Sequence, residues 1–279
     1  MDSIVILGSG GMLGSDIVSA FSARGCPVVG FDQPAWDITR HEARQEAIAA
    51  GDVIINCAAY TNVDGAESNQ QLANSVNGEA VGELGLLAAA AGRRIVHFST
   101  DFVFDGTNED PYTEDNAPCP ISVYGHSKLL GESMLTESGC DYLTLRLQWT
   151  YGAHGENFFT RLLKWSESRD VLQVVDDQVG SPTATVDVAE TVCELVEKSA
   201  GGTFHYAASG YSSRYEIAAF AMATLAPACS IVPCSSDAFK STAPRPMNSR
   251  FDCSKVDELL DRPRPHWQEP LATFLETLI

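Results

Sequence analysis

Tyr124 and Lys128 stand four residues apart in the run VYGHSKLLGE, and on a helix that spacing places both side chains on one face about one turn apart. A ketone that takes up hydride needs a proton on its oxygen. A phenol can give one if a neighbouring ammonium lowers its pKa from about 10 towards working pH. The same two residues also describe an amphipathic Tyr beside a solvated Lys, so the pair takes its meaning from its surroundings. Ser99, Thr100 and Asp101 close an apolar, β-branched run. A strand there brings their polar groups to the carboxyl edge of a sheet, where ligands bind in open α/β folds. Thr100 is expected to hydrogen-bond the substrate oxygen beside Tyr124, with Asp101 and Phe102 bordering the same substrate.

Gly8, Gly11 and Gly14 follow another apolar run, Ile4 to Leu7, and lead into a helical pattern. In that context the first glycine permits a tight turn, the second lets backbone N–H groups approach a pyrophosphate, and the third lets the helix pack on the sheet. The helix N-terminus adds the positive end of its dipole. Met12 and Leu13 lie in the same loop and are expected along the cofactor. Asp32, at the end of the second strand, fits the acidic residue that binds an adenosine ribose. Its carboxylate repels a 2′-phosphate, so between NADPH and NADH the sequence leans to NADH, unless Arg24 or Arg40 compensates. The plainer alternative makes Asp32 a turn former before Gln33-Pro34.

The elements that must hold these residues alternate regularly. Strands are expected at Ile4 to Leu7, Val28 to Phe31, Val53 to Cys57, Arg94 to Ser99 and Tyr142 to Leu147. Helices are expected at Met12 to Arg24, Thr39 to Ala50 and Gln70 to Ala91, with another opened by Pro118 to Tyr124 and running to Ser138. This is an α/β protein with a Rossmann-type doubly wound parallel sheet. Beyond Tyr151 the pattern loosens: helices are expected at Asn157 to Ser168, Val186 to Lys198, Arg214 to Leu225 and Leu271 to Leu278, a strand at Leu172 to Val175, and a long loop at Ser235 to Asn248. Residues 1–150 therefore read as the nucleotide-binding domain, rejoined by parts of 184–230, and 151–279 as mainly a smaller α/β substrate domain.

The 279 residues, 44% of them hydrophobic, suffice for a sizeable core. The net charge of −19 argues against nucleic acid or an anionic membrane as partner, so an anionic substrate must be met by a few local cations. Eight cysteines form no CxxC pair and no Cys/His cluster at zinc spacing, which reads as reduced thiols without a metal site. The apolar run begins within three residues of Met1, and the apolar stretch Leu84 to Ala91 is too short to span a bilayer. A cytoplasmic monomer or homodimer is expected.

The blocks GxxGxxG, NCAAYTNVDGAE (56–67), STDFVFDG (99–106), VYGHSKLLGE (123–132), LRLQWTYG (145–152), DQVGSPT (177–183) and RPMNSRFDCSK (245–255) resemble, over nearly the whole chain, the dTDP-4-dehydrorhamnose reductase family of extended short-chain dehydrogenase/reductases. The resemblance implies reduction of the C4 ketone of a nucleotide-linked 4-keto-6-deoxysugar. It makes Thr100, Tyr124 and Lys128 the catalytic set, lays Ala58, Ala59 and Thr61 along the cofactor with Tyr124 and Lys128, and lines the sugar pocket with Trp149. Arg245, Asn248 and Arg250 would sit on a loop that closes over the nucleotide sugar. Three departures stand out. The family's SWVYG is QWTYG here, Tyr60 replaces a frequent His, and Val186 stands near a glutamate that binds magnesium across a dimer in some members, so that metal is not carried over. A sugar-nucleotide 4,6-dehydratase or epimerase shares the scaffold, but a dehydratase carries Glu where this chain has Phe102. A non-catalytic alternative is the regulatory subunit of methionine adenosyltransferase.

Overall fold

The computed structural model describes residues 2–226, 228–239 and 241–279. Six strands form one parallel sheet: β1 (Ile4–Leu7), β2 (Val28–Phe31), β3 (Val53–Asn56), β4 (Arg94–Thr100), β5 (Asp141–Leu147) and β6 (Gly202–Tyr206), in the order β6-β5-β4-β3-β1-β2. Every residue of β1, β3 and β4 is buried, as strands covered on both faces require. The alternation of side chains along a strand decides where each goes. Ile4 and Ile6 join a core with Ile17, Phe21, Val188 and Val192, whereas Val5 and Leu7 join one with Ala47, Ile54 and Leu84. Helices Met12–Ala23 and Thr185–Glu197 pack together on the first face, and His41–Ala50 against Ala80–Ala91 on the second.

A separate cluster of Tyr151, Phe159, Leu172, Ile217, Trp267 and Leu271 lies in the C-terminal half. There helix Arg214–Leu225 has the expected bounds, opened by a capping box in which Ser213 and Glu216 satisfy each other's backbone N–H groups. Strand Val171–Val175 gains a parallel partner, Ser230–Cys234, that the sequence pattern does not show. The edge strand β6 was also missed. It has one neighbour, and its two buried polar groups, His205 and the hydroxyl of Tyr206, blur the apolar run.

The expected helix Gln70 to Ala91 is interrupted by a π-helical stretch at Ser75–Glu79. The helix expected from Pro118 begins instead at Val123, where the Ser122 side chain accepts the Gly125 N–H at 3.1 Å. Serine supplies the cap that proline cannot. The loop expected at 235–248 contains one short 3-10 turn, Ser236–Ala238; its Lys240 lies outside the described residues. No helix among the described residues is long and apolar enough to cross a membrane.

Candidate active site

The strand order reverses direction at β1 and β3, and a cavity of about 800 Å³ opens there along the carboxyl edge of the sheet, at the place where doubly wound sheets bind ligands. After β1 the chain turns at Gly8 with φ of 75°. A Cβ on Gly14 would collide with the Gly8 carbonyl, so helix and turn meet backbone to backbone. No side chain caps the helix that starts at Met12, leaving its first N–H groups free for an anion. Asp32 reaches over from β2: Oδ2 accepts the Gly10 N–H at 2.6 Å and Oδ1 that of Gln33 at 2.8 Å. Each carboxylate oxygen keeps a lone pair for another donor. Gly8, Gly11, Met12, Leu13, Gly14 and Asp32 all line the cavity, and this bare turn fits a dinucleotide.

Neither expected compensating cation reaches that end. Arg24 is paired with Glu190 at 2.7 Å and Glu197 at 3.4 Å on helix Thr185–Glu197, and Arg40 is exposed outside the cavity wall. The ion pairs with Glu190 and Glu197 hold Arg24 away from the turn.

Ala58, Ala59 and Thr61 line the wall after β3. Asn77, from the π-helical stretch, holds that wall to the helix Val123–Glu137. Its Oδ1 accepts the Tyr60 N–H at 2.8 Å, and its Nδ2 donates to the Tyr60 carbonyl at 3.0 Å and the Ser127 hydroxyl at 2.9 Å. Sequence reasoning passed over Asn77, because an Asn inside a helical pattern carries no mark of its partners.

Tyr124, Lys128, Thr100, Asp101 and Phe102 share the cavity with the glycine turn. The rings of Phe102 and Tyr124 meet edge to face at 5.5 Å. The Tyr124 phenol departs from the expectation of a lowered pKa. Burial and then the Asp101 carboxylate push it up to about 12, against the Thr100 hydroxyl. The phenol is therefore protonated at neutral pH, which is the state a proton donor needs. Burial pushes Lys128 down to about 8, with Glu132 one turn further along the helix pulling the other way. Its ammonium makes no hydrogen bond to another described residue.

The opposite wall comes from the C-terminal half. Trp149 lines it in a left-handed backbone conformation, φ 47°, a strain that non-glycine residues keep mainly at functional sites. Arg214 lies 3.7 Å over the Trp149 ring and 5.3 Å from that of Phe158. Burial pushes the Arg214 guanidinium down to about 10; Asp101 opposes this, and Arg245 and Arg161 reinforce it. Arg161, Arg214 and Arg245 thus converge on one region of the cavity. Arg161 and Arg214 were missed by sequence reasoning: the helical patterns at Asn157 to Ser168 and Arg214 to Leu225 mark the elements, but not where these side chains point. Gln148, the departure from the family's serine, is 1% exposed; its Oε1 accepts the Ser181 N–H at 2.9 Å, and its Nε2 has no partner among the described residues.

The RPMNSR segment behaves differently from the expectation. Arg245 does line the cavity, tied to Asp64 at 2.8 Å. Asn248 and Arg250 do not line it. Asn248 Nδ2 donates to the carbonyls of Asn108 and Asp110 at 2.8 and 3.0 Å, and Arg250 donates to Asn248 Oδ1 and the Glu109 carbonyl. They stabilise the 108–110 backbone, because its carbonyls need donors and these two residues are beside them. Among the described residues no group of His, Cys, Asp and Glu is assembled to hold a metal ion.

The family model described as the RmlD substrate binding domain matches residues 1–279. The chain belongs to that family. It is 35% identical to dTDP-4-dehydrorhamnose reductase of Burkholderia thailandensis, over 99% of either chain. Among solved structures, a dTDP-4-dehydrorhamnose reductase from Clostridium acetobutylicum superposes with a TM-score of 0.95 at 33% identity, covering 99% of both chains. The enzyme of that name from Bacillus anthracis, solved in complex with NADP, superposes with a TM-score of 0.93 at 30% identity, again over 99% of both chains. The chain is therefore an oxidoreductase of this family that uses a nicotinamide cofactor.

Proposed function

We propose that this protein reduces the C4 ketone of a nucleotide-linked 4-keto-6-deoxysugar, with dTDP-4-dehydrorhamnose as substrate and dTDP-L-rhamnose as product. The observation that carries the reading is the sharing of one cavity by Thr100, Tyr124, Lys128 and the free glycine turn, with Phe102 against Tyr124 where a dehydratase would need an acid. Phenylalanine cannot transfer a proton to a leaving C6 hydroxyl.

The bound dihydronicotinamide supplies the hydride. Gly8, Gly11 and Gly14 admit its diphosphate to the helix N-terminus, Met12 and Leu13 flank it, and Ala58, Ala59 and Thr61 border its path. Asp32 accepts from the adenosine ribose and, with neither Arg24 nor Arg40 lining the cavity to offset a 2′-phosphate, favours NADH over NADPH. Tyr124 gives its phenolic proton to the C4 oxygen, and Lys128 stabilises the phenolate that remains. Trp149 backs the sugar ring. Arg214, Arg161 and Arg245 hold the sugar-linked diphosphate with charge-assisted hydrogen bonds, which answers the net charge of −19. Residues 1–150, with the segment that returns to the sheet, form the cofactor half, and most of 151–279 the sugar-nucleotide half. The chemistry is that of a soluble biosynthetic enzyme of the cytoplasm.

Supplying dTDP-4-dehydrorhamnose with NADH deuterated on the transferred face should place one deuterium at C4 per coenzyme oxidised. Label at C6, or conversion without coenzyme oxidation, would overturn the reading. Absence of turnover with every 4-keto sugar nucleotide tried would turn the assignment towards a binding subunit.

A further inference from the structure

Behind Thr100 lies a buried chain of polar groups that the reaction as described leaves unused. Thr100 Oγ1 is 3.0 Å from Asp101 Oδ1 and accepts the Phe102 N–H at 3.2 Å. On the far side, Ser249 Oγ donates to Asp101 Oδ2. Thr100, Asp101 and Ser249 are 6%, 2% and 2% exposed. Ser249 Oγ has no second partner among the described residues, so its single proton must go to Asp101. An ionised carboxylate can only accept, whereas a carboxylic acid has one proton to give. When Asp101 is ionised, both hydroxyls point their protons at it and Thr100 offers the cavity only a lone pair. When Asp101 is protonated, the Ser249 proton already occupies Oδ2, so the acid proton sits on Oδ1 and is donated to Thr100. The Phe102 N–H fills another site on the same oxygen, and the Thr100 proton then turns to the cavity.

We propose that Asp101 is a positioning residue whose proton decides whether Thr100 presents a hydrogen-bond donor or an acceptor to the substrate. The inference rests on the reductase reading above. Hydride addition builds negative charge on the carbonyl oxygen, and donors aimed at that charge lower the barrier, so the protonated form of Asp101 is the productive one. Burial pushes the Asp101 carboxyl up, while the Ser249 and Thr100 hydrogen bonds and the charge of Arg214 pull it down. The charged or titratable groups facing it are Arg214, from helix Arg214–Leu225, and Tyr124, from helix Val123–Glu137. Raising the pH removes the proton, turns Thr100 into an acceptor and slows reduction. The C-terminal segment, through Ser249, thereby acts on the chemistry from behind.

The test is kcat against pH at saturating NADH and sugar nucleotide for wild type, Asp101→Asn and Ser249→Ala. Wild type should lose at least about tenfold on an alkaline limb. In Asp101→Asn, Ser249 can donate only to the amide oxygen, so the amide N–H donates permanently to Thr100. That variant should turn over about three- to tenfold more slowly than the wild-type acid plateau, keeping only the limb that belongs to Lys128 near pH 8, with an unchanged KM for NADH. Ser249→Ala removes a bond that favours the carboxylate, so its limb should move to higher pH. An Asp101→Asn profile whose limb coincides in position and depth with that of wild type belongs wholly to Lys128 or Tyr124 and overturns the proposal, as does a wild-type limb that stays put or moves down in Ser249→Ala. Infrared difference spectra separate this from failure of the reductase reading. Without any turnover, the carboxylic C=O band that Asp101→Asn abolishes should still persist to higher pH in Ser249→Ala, and its absence from wild type at every pH would sink the idea.

Discussion

The glycine turn after β1 leaves its polar groups free, whereas the segment 245–250 spends most of its own. At the turn, an uncapped helix start and a carboxylate with lone pairs to spare face an open cavity. In the segment, Asn248 and Arg250 are engaged with the backbone carbonyls of residues 108–110, Ser249 is turned onto Asp101, and Arg245 alone lines the cavity. Both stretches carry residue types suited to a diphosphate. The difference shows that hydrogen-bonding capacity left over after folding marks a binding surface better than residue type does, since a buried polar group already satisfied has little to gain from a ligand.

The largest effect should come from the wall of free groups. Tyr124→Phe removes the only proton of the phenol and should cut kcat about 100-fold or more, while NADH still quenches protein fluorescence with unchanged affinity. Near-normal turnover would take Tyr124 out of the mechanism.

Next in size is a contrast between two arginines. Arg214→Ala should raise KM for the sugar nucleotide roughly 10- to 100-fold, the value of a charged hydrogen bond or two, whereas Arg250→Ala should lower Tm and move that KM by no more than about threefold. If the two variants change places, the segment 245–250 binds substrate after all and the comparison fails.

Lys128 sharpens the point through stability. Its pKa falls from 10.5 to about 8 on folding, so below pH 8 the folded protein carries a buried ammonium that the unfolded chain would solvate, at a cost of about 3 kcal/mol. For a cation with a lowered pKa this penalty is complete below the folded value and disappears as pH rises towards the unfolded one. Lys128→Met should therefore be inactive yet melt higher than wild type at pH 7, with the gap closing as pH approaches 10.5. Equal melting temperatures at pH 7 would show that the ammonium is solvated in the cavity.

The smallest effect belongs to Asp32. Asp32→Ala should raise the kcat/KM ratio of NADPH to NADH several-fold by removing repulsion from a 2′-phosphate. Because the carboxylate also accepts the Gly10 N–H, both coenzymes should weaken somewhat. A common loss with no change in ratio would leave Asp32 as a brace for the turn.

By itself the sequence determined the parallel sheet, and it was enough to single out the glycine turn with Asp32 and the candidate set of Thr100, Tyr124 and Lys128, which line one cavity. These depend on period, spacing and strand ends, which are local properties of the chain. Even the departure at Phe102 was legible, since its neighbours in STDFVF fix its register. The tertiary structure alone decided which polar groups stay free. Arg214 and Arg250 look alike in sequence, and the difference arises because helix Arg214–Leu225 delivers one onto Trp149 while the exposed carbonyls of 108–110 claim the other. Asn77 and Ser249 likewise act through partners about 50 and 150 residues away. A hydroxyl or an amide has no directional preference until packing gives it a neighbour, and that neighbour is set by the cores on which the strands and helices close.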